Sequence, residues 1–165
     1  MRFVWAIVLA VAGGIPSQAA MVAVNNPSFE DDFATAGTFP VLIPNGWTVI
    51  DPGGIVDQSN DAVGVLNPTG STFFPGGAPD GDNVGLIFLG QEIGTTEVGL
   101  GQTLGDVLLA NTTYTLSVEV GDIDSGVGPP PGNQFFNLEG FPGYRVDLVA
   151  GGVVLDSDDN SLSIV

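Results

Sequence analysis

The chain has 165 residues, 19 of them acidic and only two basic, for a formal net charge of −17. It contains no cysteine and no histidine. Disulfide staples, zinc sites built on Cys or His, and Ser-His-Asp or Cys-His catalysis are therefore excluded within the chain, as is binding to nucleic acid or anionic lipid through a basic face.

Met1-Arg2 precedes the apolar run "FVWAIVLAVAGGI", and Ser17-Gln18-Ala19 places small residues where a signal peptidase needs them. Residues 1–19 are read as a signal peptide cleaved after Ala19. The apolar run is short for a membrane span, and Pro16 and polar residues end it. The mature chain is then a secreted or periplasmic protein without a membrane span, and residues 20–165 are sufficient for a single domain. Cleavage leaves 19 acids against Arg145, a net charge of −18. Such a surface attracts cations.

After the acidic segment "NNPSFEDDF" (25–33), short strands are expected at 21–24, 47–50, 62–66 and 98–104. "VGLIFL" (84–89) is apolar on both faces, as a central strand covered on both sides would be. "GDVLLAN" (105–111) offers one helical turn at most. In "TYTLSVEV" (113–120), Tyr114, Leu116, Val118 and Val120 alternate with polar residues, the pattern of a half-buried antiparallel strand. The segment 121–143 is too long for a simple connection. "YRVDLV" (144–149), Gly151-Gly152 and "VVL" form a hairpin. The alternating end at 161–165 reads as one strand of a sandwich whose last strands are missing. Many short strands between turn signals make the fold class all-β, an antiparallel β-sandwich or jelly roll.

Oxygen ligands are abundant, and hard cations prefer oxygen, so calcium is the metal expected. Glu30 follows a tight Asn-Pro turn beside Asn26, Asp31 and Asp32. In "PDGDN" (79–83), Asp80, Asp82 and Asn83 form either a cation site or a plain Asp-Gly turn. "DSDDN" (156–160) opens like an EF-hand loop but has Ser161 where the bend needs glycine. Trp47, Phe88, Phe135, Phe136, Phe141 and Tyr144 are candidate ligand-binding aromatics. Those on strands suit core packing equally well, whereas a Phe-rich loop must either dock or present an apolar surface.

The motifs "VNNPSFEDD", "PNGWTV", "PDGDNVGLIFL", "LGQTLGDVLLANTTYTLSVEVGD" and "GYRVDLVAGG", in that order, resemble the secreted, carbohydrate-binding-module-like jelly rolls of bacteria. More particularly, they are similar to the subgroup that includes the Stig cyclases of hapalindole-type alkaloid biosynthesis and many exported bacterial proteins. The resemblance implies a structural calcium with Glu30 as a ligand, completed in relatives by an acid in a final strand that has no counterpart before Val165. For the cyclases it also implies an apolar pocket and a proton-donating acid near the C-terminal end, which maps onto no residue of this sequence.

The favoured expectation is thus an exported, calcium-stabilised module that binds carbohydrate or another extracellular ligand and has no catalysis of its own. The alternative is a Stig-like cyclase that takes a small apolar ligand, a prenylated indole isonitrile, through a Cope rearrangement and ring closure. A third is a surface-layer or matrix interaction protein.

Overall fold

The computed structural model describes residues 21–40, 42–57, 61–90, 97–128, 132–138, 140 and 143–159. The signal-peptide reading, Phe141, Asn160 and the strand expected at 161–165 lie outside the described residues. Regular structure among the described residues is entirely β: β1 (Thr48–Ile50), β2 (Ala62–Leu66), β3 (Val84–Phe88), β4 (Gly99–Gly101), β5 (Gly126–Val127), β6 (Phe135–Phe136), β7 (Val146–Ala150) and β8 (Val153–Asp158). They pair antiparallel as β1-β4, β2-β3, β5-β6 and β7-β8. The chain divides into two compact units. Ala23–Gly105 with Ile123–Leu138 holds β1 to β6, and the other unit includes Asp106–Asp122 and carries β7 and β8.

In the first unit β2 is the buried strand, enclosed without a break from Asp61 to Pro68. That role was expected of β3, whose Ile87 is instead 42% exposed. The difference lies in Gly64. A Cβ there would meet the carbonyl oxygens of Pro40 at 2.7 Å and Leu42 at 2.8 Å, so the missing side chain admits a crossing backbone segment over β2. Ala62 pairs with Phe88 and Leu66 with Val84, which sets Ala62, Leu66, Leu86 and Phe88 on one face. Phe73 packs there, only 1% exposed. Each large side chain buried this way is worth about 1.5–3 kcal/mol.

The long 121–143 segment contains the short β5-β6 hairpin. Its stem is extended by a hydrogen bond from Gly128 N–H to the Gln134 carbonyl (2.8 Å). The Asp124 N–H donates to the Phe73 carbonyl (2.7 Å), which fastens the hairpin to the core. Phe136 then docks edge-on against Phe39 and Phe73, with centroids 5.7 and 6.1 Å away, while Phe135 stays 61% exposed.

In the second unit, β7 and β8 turn at Gly151-Gly152, both with positive φ (58° and 79°), as a tight hairpin requires. The alternating 113–120 segment forms no ladder; only an isolated bridge is present at Val120. Leu116 and Val118 are 40% and 39% exposed, and Tyr114 is held locally through its hydroxyl, which accepts the Leu109 N–H at 2.7 Å. Alternation defines a half-buried surface but does not supply the neighbour that completes a strand. No helix forms at 105–111, where Asn111 adopts φ 57° in a turn.

Candidate functional site

Two clusters in the first unit combine unusual chemistry with tight placement. The first is the acidic 25–33 segment. Phe29 sits at φ 63°, in the left-handed region that side chains rarely adopt. Its ring stacks on Trp47 (centroids 5.2 Å, planes 24° apart) and fills the space left by Gly85, where a Cβ would meet Cζ at 2.5 Å. The Trp47 indole donates to the Asn26 carbonyl (3.1 Å). This aromatic pillar turns Glu30 toward the 79–83 turn. There Oε1 accepts the backbone N–H groups of Asp82 (2.8 Å) and Asn83 (2.7 Å). Gly81, at φ 70°, must lack a side chain because a Cβ would overlap the Glu30 carboxylate.

Asn83 closes the arrangement from below. Only 5% exposed, it donates Nδ2 to the carbonyls of Phe29 (3.1 Å) and Asp32 (3.0 Å). Those two acceptors fix the amide orientation. Its Oδ1 is buried and has no hydrogen-bond partner among the described residues. Glu30 Oε2 stands alongside, with only a 3.5 Å contact to Asn83 Nδ2. Buried Oδ1 and the Glu30 carboxylate are oxygen donors of the kind a hard cation takes, although the Asn83 atom near Oε2 is the amide nitrogen. Asp32 is committed elsewhere: it accepts from Asn26 Nδ2 (2.9 Å) and from the Asn45 N–H (2.9 and 3.1 Å).

The structure thus gathers Glu30, Asn26, Asp31 and the Asp82 main chain, but not their side chains as a ligand set. Asn26 Oδ1 already accepts the Asp31 N–H (3.0 Å), and the Asp80 and Asp82 side chains are on an exposed turn. Among the described residues no three acidic side chains come together to hold a metal. Of the three candidates in the 79–83 turn, only Asn83 is buried.

The second cluster lies on the opposite face of the β2-β3 ladder, as the alternation of Gly85 with Leu86 requires. Phe39, Phe73, Phe88 and Phe136 surround a wholly apolar cavity of about 20 Å³, with Ala62 and Leu86 as its floor. This is room for roughly one water. Phe88 and Phe136 were expected to bind a ligand, whereas Phe39 and Phe73 are added by the fold. Trp47 lies under the acidic turn, Phe135 faces outward, and Tyr144 belongs to the second unit. In that unit burial, followed by the charge of Asp158, pushes the Tyr144 hydroxyl above its usual range.

Comparison with known proteins places the chain in a family. The HpiC1-like family, described as HpiC1 cyclase, matches residues 20–165. This chain belongs to the HpiC1-like cyclase family. Among solved structures, an apo-form cyclase from Fischerella sp. is 38% identical, with a TM-score of 0.71, over 85% of this chain and 69% of its own. The Stig cyclase Fisc from Fischerella sp. TAU, in complex with (3Z)-3-(1-methyl-2-pyrrolidinylidene)-3H-indole, is 39% identical, with a TM-score of 0.69, over 84% of this chain and 69% of that one. A further cyclase from Fischerella sp. TAU gives 39% and 0.71 over the same shares. No curated protein sequence matches. The fold is accordingly the antiparallel, jelly-roll-like β-sandwich of the Stig cyclases. The expectation of a carbohydrate-binding module without catalysis is overturned: an HpiC1-like chain falls among cyclases, and the ligand seen in a relative is an indole derivative, not a sugar.

Proposed function

We propose that this HpiC1-like chain is a Stig-type cyclase that folds an apolar, prenylated indole isonitrile for Cope rearrangement and ring closure. The observation that carries this reading is the aromatic cavity on the β2-β3 ladder, whose lining offers ring faces and aliphatic carbon and no charge. An intramolecular rearrangement asks a protein mainly to hold one conformer, and aromatic walls do so without competing hydrogen bonds. The same ring faces favour positive charge that develops during cyclisation. The cavity is too small for an indole as it stands, so Phe39, Phe73 and Phe136 must part. Parting them gives up edge-to-face contacts worth about 0.5–1.5 kcal/mol each and part of the burial worth about 1.5–3 kcal/mol per ring, which burial of the substrate has to repay. No lining residue among the described residues is an acid, so none of those named supplies the proton that cyclisation requires.

Calcium is part of the same reading, as a structural ion held by Glu30 and Asn83 Oδ1 with further oxygens, since calcium takes about six to eight. Its contribution is to tie the 25–33 segment to the 79–83 turn. Export after cleavage at Ala19 and a single domain over 20–165 complete the proposal; N-terminal sequencing of the chain recovered outside the cytoplasm tests both the leader and its cleavage point. The activity test is incubation of the purified chain with a prenylated indole isonitrile, with and without calcium, followed by chromatography and mass analysis. A new polycyclic isomer of the substrate is expected. Unchanged substrate, together with no rise in melting temperature on adding it, overturns the cyclase reading.

A further inference from the structure

The turn that carries Asn45 and Gly46 has a chemistry of its own, independent of the cyclase reading. Trp47 N–H donates to the Pro44 carbonyl at 3.0 Å, and Gly46 occupies the turn at φ 81°. Both Asn45 and Gly46 are exposed. Asn45 is fastened through its main chain alone. Its N–H donates to both Asp32 carboxylate oxygens (2.9 and 3.1 Å), and its carbonyl accepts Asn26 Nδ2 (3.0 Å). Among the described residues neither the Asn45 side-chain amide nor the Gly46 N–H has a hydrogen-bond partner. An unanchored amide carbon therefore precedes an unshielded, uncommitted backbone nitrogen. This is the only Asn-Gly pair in the sequence. Asn67, by contrast, is buried and precedes Pro68, which has no N–H, and Asn83 is buried and precedes Val84.

We propose that Asn45 is a site of spontaneous deamidation, and that its conversion to isoaspartate releases the 25–33 segment. Base removes the Gly46 amide proton, and the nitrogen attacks Asn45 Cγ. The bond from Cγ to the side-chain nitrogen breaks, and that nitrogen leaves as ammonia with a proton from water. Water then opens the cyclic imide at either carbonyl, giving aspartate or isoaspartate. The net change is water in and ammonia out, with no oxidation. Isoaspartate threads an extra carbon through the backbone, which displaces the N–H and carbonyl that Asp32 and Asn26 hold. It also sets a new carboxylate beside Asp32, and like charges repel. The fold cannot avoid the reactive pair by changing Gly46. A Cβ there would stand 3.2 Å from the Asn25 Cβ, on a backbone conformation that only glycine adopts freely.

The test ages the full chain at mildly alkaline pH and maps its peptides for isoaspartate with an isoaspartyl methyltransferase label. In the folded chain the label is expected on the peptide holding Asn45 and absent from those holding Asn67 and Asn83. A urea-unfolded sample shows the reactivity of the same sequence without its fold. Asn45→Gln keeps the main-chain hydrogen bonds and is expected to lose the label while melting like the fresh protein. The aged, isoaspartate-bearing fraction is expected to melt lower than fresh protein. An Asn45 that stays intact when folded but converts in urea overturns the site. An aged fraction with unchanged melting overturns its proposed consequence.

Discussion

The fate of single acids shows how little a charge count says about the work each one does. Asp61 is 3% exposed; its carboxylate accepts the N–H groups of Asp57 (2.7 Å) and Gly90 (2.9 Å) and so serves as a strut between loops. Asp51 acts similarly at the surface, accepting the N–H groups of Ile55 and Val56, each at 3.0 Å. Those donors, Val56 foremost, hold its carboxyl below the ordinary value of 3.8. Near that pH the folded chain therefore binds fewer protons at Asp51 than the unfolded chain does. The resulting stabilisation is complete above 3.8 and is lost as pH falls through the lowered folded value. We expect Asp51→Asn to flatten the acid limb of a plot of melting temperature against pH. Superimposable acid limbs for variant and parent would show that Asp51 is not linked to folding. Nothing in "IDPGG" distinguishes this acid from a solvated one, because the donors come from residues that meet it only after the loop has closed.

At the scale of elements, legibility followed the source of the constraint. The β7-β8 hairpin could be read because its strands and its Gly151-Gly152 turn are adjacent in sequence. β3 could be located, but its environment could not, because burial of β2 depends on the backbone of Pro40 and Leu42 lying over Gly64. We expect Gly64→Ala to destabilise the fold by about 1–3 kcal/mol, the usual cost of overpacking a tight core. Denaturant unfolding measures this, and an unchanged midpoint would mean that the crossing segment can move aside. The 121–143 segment was recognisable as more than a connection, yet only pairing reveals that Phe136 enters the core while Phe135 does not. Phe136→Ala should cost about 2–4 kcal/mol, discounted from full burial because the ring is only partly enclosed. Phe136→Leu should restore most of that stability. If the aromatic face matters to cyclisation, the leucine variant should nevertheless remain poor in product formation; equal recovery of stability and turnover would reduce Phe136 to a packing residue.

For the molecule as a whole, the question is how a chain of net charge −17 with no disulfide holds its N-terminal turn against its own repulsion. Hydrogen bonds supply part of the answer: Glu30 bridges to the 79–83 turn, and Asp32 to Asn45. They leave Asn83 Oδ1 buried and unpaired among the described residues, and an unmet buried acceptor costs roughly 1–3 kcal/mol. A divalent cation would relieve both the repulsion and the orphaned oxygen. Simple salt would relieve only the first, since screening acts on exposed charges at separations near the Debye length, about 10 Å at 0.1 M ionic strength. The two effects separate experimentally. Millimolar calcium is expected to raise the melting temperature above that of a sodium chloride control of equal ionic strength, because an ion that binds only the folded state stabilises it by mass action. EDTA should remove the difference. Glu30→Gln keeps an acceptor for the Asp82 and Asn83 N–H groups but removes the charge facing Asn83, so it should abolish the calcium-specific increment while leaving the salt response. If calcium and sodium chloride act alike on the parent chain, the acidic turn is held by its hydrogen bonds and general screening alone.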